Sequence, residues 1–343
     1  METGRGQERP AAVLLAASCA AALLAGLVMG VVGHGTGPFV AEPWAPDARG
    51  VAATAAVGAA SFAAMCGVRR WPRPHERDHW AFGERTALAA AGVVAALVVA
   101  VHVQPTRFDS IAREDGAVEW ISALAAAFAC VSLAGTAGRH RGVARLAMSC
   151  GAVAMFVVAG EEVSWLQRIL DYGTPAALEG NSQSEANLHN MATDAFQIAY
   201  YVGVCAVLVL LPHVARWALP ARAALHRYLP GPVPVALASL SVVFTYARSG
   251  HLAHHVTAWI ALATVVLWGA RPRAWSLAVA TTILLGQLLL VAGGESLARP
   301  WAPAEYREMF SALAFAAAAL EVSRRPVVEP AHPTRPAGAT RLS

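Results

Sequence analysis

Long apolar runs recur along the whole chain and are separated by short polar connections. Each run holds roughly twenty residues, the length that an α-helix needs to cross a hydrocarbon core about 30 Å thick. Inside a bilayer every backbone amide must be paired within its own segment, which favours helices. The pattern predicts an all-α, polytopic bundle of about ten transmembrane helices, near 11–32, 50–68, 85–103, 117–137, 143–161, 191–211, 233–247, 251–269, 274–293 and 306–323.

The polar segments complete this predicted layout. Residues 1–10 form a short cytoplasmic tail, 11–323 form the transmembrane domain, and 162–190 form the main outer loop. The tail 324–343 is rich in Pro, Arg and Ala, which is typical of a disordered segment. The seventh run, between Pro232 and Arg248, is short for a span, so we expect its outer turn to lie below the membrane surface.

Arginine positions predict the orientation, because cytoplasmic connections of membrane proteins carry the excess of basic residues. Alternate connections, beginning with the N-terminus, hold 19 of the 26 basic residues. The other connections hold seven: Arg49, Arg107, Arg113, Arg168, Arg248, Arg299 and Arg307. Both termini are therefore predicted to be cytoplasmic.

Composition agrees with a multi-pass protein of a cell (inner or plasma) membrane. Of 343 residues, 57% are hydrophobic and 14% are charged, whereas a soluble domain carries about 25% charged residues. All basic residues are arginine and alanine is abundant, a bias typical of a GC-rich bacterial genome. No basic stripe interleaved with aromatic residues is present, which argues against nucleic-acid binding. The five cysteines lie in apolar runs, as small packing residues do.

Acidic residues are concentrated on the predicted outer side, which holds about fifteen of the 22. Ionisable groups at membrane depth are costly and are candidates for a site. Asp115, Glu119 and Ser122 open the fourth helix at i, i+4 and i+7, on one face. Glu114 and Asp115 have an alternative interpretation as residues that cap the helix and interact with its dipole.

A second acidic string, Gly160–Arg168, ends the fifth helix. If the helix continues, Glu161, Ser164, Trp165 and Arg168 share one stripe. Trp165, Gln167 and Arg168 are predicted to line the site. Glu161 and Glu162 cannot share a face, so one could pair with Arg168 while the other faces a ligand. The alternative is an interfacial tryptophan beside a solvated Glu–Arg ladder.

The outer loop leads into a third polar string, 181–190, which includes Asn187. Glu185 and His189 are at i, i+4, a spacing that lets a carboxylate orient an imidazole, and Asn190 and Asp194 repeat it. The alternative is a helix cap and a solvated loop. Further on, His251 and His255 open the eighth helix at the spacing of two metal ligands on one helix.

These histidines predict a possible divalent metal site, such as zinc. Zinc needs a third protein ligand and, in a catalytic site, a bound water. His189 is the first candidate for that ligand, with Glu161, Glu162 or Asp194 as alternatives. Glu295, His102 and Gln287 lie on or near the same side and are expected to line the cavity.

Three strings carry a resemblance to a family: Glu114–Trp120 (EDGAVEW), Gly160–Arg168 (GEEVSWLQR) and Gln183–Asn190 (QSEANLHN). They resemble an uncharacterised family of bacterial multi-helix membrane proteins, which implies an outer polar cluster and no assigned activity. A weaker similarity, through His251 and His255, is to alkaline ceramidases and adiponectin-type receptors, which are seven-helix zinc hydrolases. The helix number and the spacing of Ser184, His189 and Asp194 depart from that pattern.

Two functions follow as hypotheses. The first is a metal-dependent hydrolase acting on a lipid or lipid-linked substrate, with candidate catalytic residues Glu119, Glu161, Glu162 and His189 and water activated by the metal. The second is a proton- or cation-coupled transporter or flippase, against which the scarcity of polar residues in the inner halves of the spans argues mildly. A polyprenyl-dependent glycosyltransferase has only Glu42 and Asp47 in its favour.

Overall fold

The computed structural model describes residues 81–178, 185–188, 193–218, 228–245, 252–268, 273–293 and 301–325. Regular structure within these ranges is entirely helical, which confirms the predicted all-α class. The α-helices are α1 (Ala81–Val103), α2 (Pro105–Ile111), α3 (Ala117–Ala137), α4 (Gly142–Glu162), α5 (Gln167–Leu170), α6 (Thr193–Val204), α7 (Leu211–Ala218), α8 (Pro232–Ser241), α9 (Leu252–Val266), α10 (Ala274–Gly293) and α11 (Ala302–Ser323). The first two predicted helices, the predicted tail 1–10 and residues 326–343 of the predicted C-terminal tail lie outside the described residues.

Three of these helices are long and apolar enough to cross a membrane, over Gly83–Val103, Ala117–Ala137 and Gly142–Glu162. Their outward faces leave large apolar side chains exposed, among them Val93, Leu124, Val131 and Val153. Contiguous exposed apolar surface is unusual on a water-soluble monomer and typical of a lipid-facing surface. Shorter apolar helices lie over Ala199–Ala215, Pro232–Phe244, Thr257–Val266 and Ala274–Leu290.

Helix α8 lies at the centre of the packed core. Val235, Leu240 and Val243 are fully buried there, and the helix contacts α1, α10 and α11. Helix α11 lies between α8 and α3, and α3 packs against α4. This order brings the beginnings of α3 and α11 and the end of α4 to the same end of the bundle.

The C-terminal end of α8 is capped by a polar side chain from another helix. The helix tightens into a 3-10 turn over Val242–Phe244. Gln287 of α10 donates its side-chain amide to the carbonyls of Val242, Val243 and Thr245 at 2.7–3.0 Å. Carbonyls at the end of a helix lack intrahelical partners, although that of Val242 also accepts from the backbone amide of Thr245 at 3.1 Å. The sequence did not predict this role of Gln287, which was expected at the cavity and is not among the residues that line the pocket described below.

The opposite end of the bundle carries arginines that join helix ends. Arg139, after α3, donates to the carbonyl of Ser323 at 2.7 Å. Glu321 accepts from the amide of Gly231 at 2.7 Å and from Arg325 at 3.4 Å. We call this the arginine end, and it is defined by Arg139, Arg273 and Arg325.

Candidate functional site

A pocket lined by glutamates lies at the end of the bundle opposite the arginine end. It encloses a cavity of about 60 Å³, measured as space open to the centre of a water molecule. About four to six waters would fit, at 10–15 Å³ each. The glutamate pocket is lined by Glu114, Glu119, Val158, Glu161, Glu162, Glu185, Asn187, Phe196, Tyr200, Glu305 and Glu308.

A left-handed turn after α4 forms one side of this pocket. Helix α4 ends at Glu162, and Ser164, Trp165 and Leu166 follow with φ of 46°, 54° and 62°. Residues other than glycine rarely adopt this region, and each costs about 1–3 kcal/mol. The expectation that Glu161, Ser164, Trp165 and Arg168 share one helical stripe is therefore wrong, because the helix does not continue.

Trp165 is the residue that holds this turn against α4. Its indole lies on Gly160, where a Cβ would come within 2.8 Å of the ring. Its Nε1 donates to Glu161 at 2.9 Å, and its ring meets that of Phe156 edge-on at 5.5 Å. The sequence interpretation of Trp165 as an interfacial residue missed this packing, which depends on the glycine one turn earlier.

A buried polar network joins the turn to residues 185–188. The hydroxyl of Ser164 donates to Glu185 at 2.6 Å, and the Asn187 amide donates to both Glu185 and Ser164, at 2.9 and 3.2 Å. Asn187 is 1% exposed, and its Oδ1 accepts no hydrogen bond from any described residue. Gln167 adds one more hydrogen bond to this network, because its side-chain oxygen accepts from the backbone amide of Ala186.

Arg168 is the charged centre of the outer rim. It forms ion pairs with Glu114, Asp115 and Glu185. Partial burial lowers the pKa of its guanidinium, but the bond to Asp115 and the charges of Glu185 and Glu114 outweigh burial and raise that pKa above its usual value. Arg168 therefore stays charged and fixes three carboxylates at the rim.

The start of α3 differs from the cap that the sequence suggested. Gly116 is the N-cap residue, while Glu114 and Asp115 bind Arg168. Asp115 precedes the helix at φ 57°, so it is not one turn before Glu119 on a common face. Glu119 accepts a hydrogen bond from the backbone amide of Asp115. Its carboxylate thus covers an exposed amide at the helix start and also lines the pocket.

The adjacent acids Glu161 and Glu162 have different surroundings. Glu161 is 3% exposed and accepts from Trp165 and from the backbone amide of Leu188 at 2.6 Å. Glu162 lies beside the hydroxyl of Ser122 and within range of the charges of Glu308 and Glu305. Glu161 thus holds the segment 185–188 in place, whereas Glu162 faces the other carboxylates of the pocket.

Helix α11 supplies two acids that the sequence interpretation missed. Glu305 lies in its first turn and Glu308 one turn later. Glu308 accepts from Tyr201 at 2.8 Å and from Gln197 at 3.3 Å, both uncharged donors. Glu305 forms no hydrogen bond or ion pair with the described residues. The i, i+3 spacing of these acids was a usable signal, but the predicted helix began at 306.

Arg307 is the second arginine of this region, and it is buried. Only 2% of it is exposed, although the sequence interpretation assigned it to an outer connection. Its guanidinium lies 3.8 Å from the centre of the Tyr201 ring and donates to Thr257 at 2.9 Å. Helix α11 begins at Ala302, four residues before the predicted start, which places Arg307 in its second turn instead of at the boundary of a span.

Several predicted site residues lie outside the described residues: His189, Asn190, His251 and Glu295. Asp194 and His255 belong to the described helices α6 and α9, but their side chains do not belong to the described set. The predicted metal site of His189, His251 and His255 thus stays a prediction. Across the described ranges, no three His, Cys, Asp or Glu side chains are arranged to hold a metal ion.

Two further expectations concern His189 and His102. Residues 185–188 are not helical, so the i, i+4 geometry expected for Glu185 and His189 does not apply. His102, expected at the cavity, is exposed, and its Nε2 lies 3.0 Å from the carbonyl of Leu289. It is not among the pocket residues.

Comparison with protein-family models, curated proteins and solved structures finds no match to this chain. The site is therefore interpreted from its own geometry.

Proposed function

We propose that this chain is a multi-pass membrane protein of about ten spans whose glutamate pocket binds a cation in exchange for protons. This activity is that of a proton- or cation-coupled transporter or flippase. In this proposal the arginine end is cytoplasmic, as basic residues in connections favour, and the glutamate pocket is extracytoplasmic.

One observation carries the proposal: the pocket gathers more negative charge than the described residues neutralise. Arg168 pairs at the rim with Glu114, Asp115 and Glu185. Glu162 and Glu305 form no ion pair with a described residue. Two like charges 4 Å apart repel by about 4 kcal/mol at the dielectric typical of protein sites. Carboxylates that line one pocket and repel each other share protons or bind a cation.

Polar side chains continue from the pocket into the bundle, which favours transport over binding alone. Tyr201 donates its hydroxyl to Glu308, and the guanidinium of Arg307 lies over the Tyr201 ring. Arg307 in turn donates to the hydroxyl of Thr257 in α9. Arg307 is five residues beyond the start of α11, about 8 Å deep at 1.5 Å per residue. Polar groups at this depth are expected along a transport path and unexpected in a purely structural bundle.

Proteoliposomes test this function. The purified protein would be reconstituted with a pH-sensitive dye inside and given gradients of Na⁺, K⁺, Ca²⁺ or ethanolamine. We expect at least one cation to drive proton movement several-fold above protein-free vesicles, and Glu162→Gln to abolish it. Glu84→Gln is the matched control, because Glu84 lies at the arginine end and pairs with Arg273. Equal fluxes in wild type, Glu162→Gln and protein-free vesicles would refute the proposal.

The hydrolase hypothesis keeps one structural support. Thr257, which binds Arg307, lies two residues after His255 in α9, so the start of α9 packs close to the helix that carries Glu305 and Glu308. Metal analysis of purified protein tests this alternative. A stoichiometric metal that His255→Ala removes would favour the hydrolase, whereas its absence from wild type would leave the transporter.

A further inference from the structure

We infer that the cation bound by the glutamate pocket is a primary ammonium group, R–NH₃⁺. The inference rests on the proposed function and names its ligand class. A soluble amine and the headgroup of an amino-phospholipid present the same chemistry to the pocket.

Apart from the hydroxyl of Tyr200, the polar side chains that line the cavity are carboxylates and the amide of Asn187. The orientation of Asn187 is fixed because its Nδ2 donates to Ser164 and Glu185, which leaves Oδ1 as an acceptor. Asn187 is 1% exposed, and a buried acceptor without a donor costs about 1–3 kcal/mol. Glu162 and Glu305 add carboxylate oxygens. A ligand that satisfies this set must bring several donors together with positive charge.

A primary ammonium matches these requirements better than a bare metal ion. It carries three N–H donors in addition to its charge. Calcium or magnesium requires several oxygen ligands to converge within about 2.0–2.6 Å. No group of three potential metal ligands has such an arrangement in the part of the chain that the structure describes. Carboxylates that surround a cavity without converging on one point fit the larger ammonium group.

The remaining walls fit the carbon that bears the ammonium. Phe196 and Tyr200 line the cavity beside Val158. Aromatic faces attract cations by about 0.5–2 kcal/mol, and Val158 offers apolar contact to a short alkyl chain. The hydroxyl of Tyr200 is buried and accepts or donates no hydrogen bond among the described residues. A cavity of about 60 Å³ accommodates an ammonium and one or two carbons.

The pocket is also open at the rim. Glu114 lines it, and the side chain of Glu114 is 56% exposed. The rest of a longer ligand can therefore extend outward past Arg168. A phosphate group attached to the amine, as in an amino-phospholipid, would meet that guanidinium.

Calorimetric titration of the full-length protein in nanodiscs tests the inference. Ethylammonium is the probe, and choline is the matched comparison, since it keeps the charge but has no N–H donor. We expect ethylammonium to bind at least tenfold more tightly than choline, and Glu305→Gln to weaken it at least tenfold. Glu84→Gln should bind as wild type does. Equal binding of choline would overturn the inference, and this comparison needs no variant to fold.

The result also separates the two proposals. Sodium or calcium binding that Glu305→Gln abolishes, without ethylammonium binding, would overturn the ammonium assignment and keep the cation pocket. No binding of any cation would overturn both. If ethylammonium binds, nanodiscs of phosphatidylethanolamine and of phosphatidylcholine identify the source: weaker apparent binding in the former supports a lipid headgroup, and equal binding supports a soluble amine.

Discussion

The two ends of the helix bundle differ in how their charged side chains are paired. At the arginine end Arg139, Arg273, Arg325, Glu84 and Glu321 each have a partner near a helix end; Glu321, for example, accepts from Arg325 and from the amide of Gly231. At the other end Glu162 and Glu305 share a cavity with further carboxylates and form no ion pair with described residues. At the arginine end, ion pairs between opposite charges stabilise the fold. In the glutamate pocket, carboxylates of like charge repel one another, an arrangement that is expected where a ligand provides positive charge.

The largest expected effect concerns Arg168, which is the positive charge at the rim. Arg168→Ala removes the ion pair between the guanidinium and the buried carboxylate of Glu185. We expect a loss of about 2 kcal/mol in the free energy of unfolding, which is less than for a fully buried pair because Arg168 is 38% exposed. Thermal unfolding in detergent measures it.

The matched change at the arginine end is Arg273→Ala. Arg273 pairs with Glu84, and both side chains are about one-third or more exposed. Such pairs contribute about 0–1 kcal/mol. Equal destabilisation by the two substitutions would contradict the contrast between the two ends.

A smaller effect is expected at Gly160, where the Trp165 indole lies against the helix. Gly160→Ala places a methyl group 2.8 Å from the ring and should displace Trp165 from Glu161, at a cost of about 1 kcal/mol, the lower end of the range for overpacking. Gly135→Ala is the control in α3, because a Cβ there meets nothing within 4 Å. We expect that control to be neutral or stabilising by up to about 1 kcal/mol. Unfolding curves with tryptophan emission report both changes.

The smallest effect has the opposite sign. Glu305→Gln removes a carboxyl group that shares protons with neighbouring carboxylates, so it should leave the stability of the ligand-free protein unchanged or raise it by up to about 1 kcal/mol at neutral pH. Glu84→Gln should lower it slightly, because it breaks an ion pair. A clear loss of stability in Glu305→Gln would mean that Glu305 supports the fold and does not await a ligand.

The sequence predicted the helices more fully than the site. The helix expected over 117–137 has those bounds in the structure, because a long apolar run leaves few alternatives. The three acidic strings were located, and Glu119, Glu161, Glu162, Glu185 and Asn187 do lie around one pocket. Their roles as catalytic or binding residues stay predictions.

The remaining features depended on contacts between distant segments. The left-handed turn at Ser164–Leu166 has no glycine to signal it, since it is held by the packing of Trp165 on Gly160. Glu305 was missed because it lies one residue before the predicted span, and Glu308, inside that span, was not recognised as a candidate. Arg307 looked like a loop residue, and only Tyr201 and Thr257, from two other helices, explain its burial.

Counting the protons released when a cation binds tests the central claim most directly. Calorimetry in two buffers of different ionisation enthalpy gives that number for ethylammonium. We predict a release between zero and one proton per bound cation near neutral pH in wild type and in Glu84→Gln, and none in Glu162→Gln combined with Glu305→Gln. Cation binding with the same proton release in that double variant would show that the glutamate pocket is not the site of exchange.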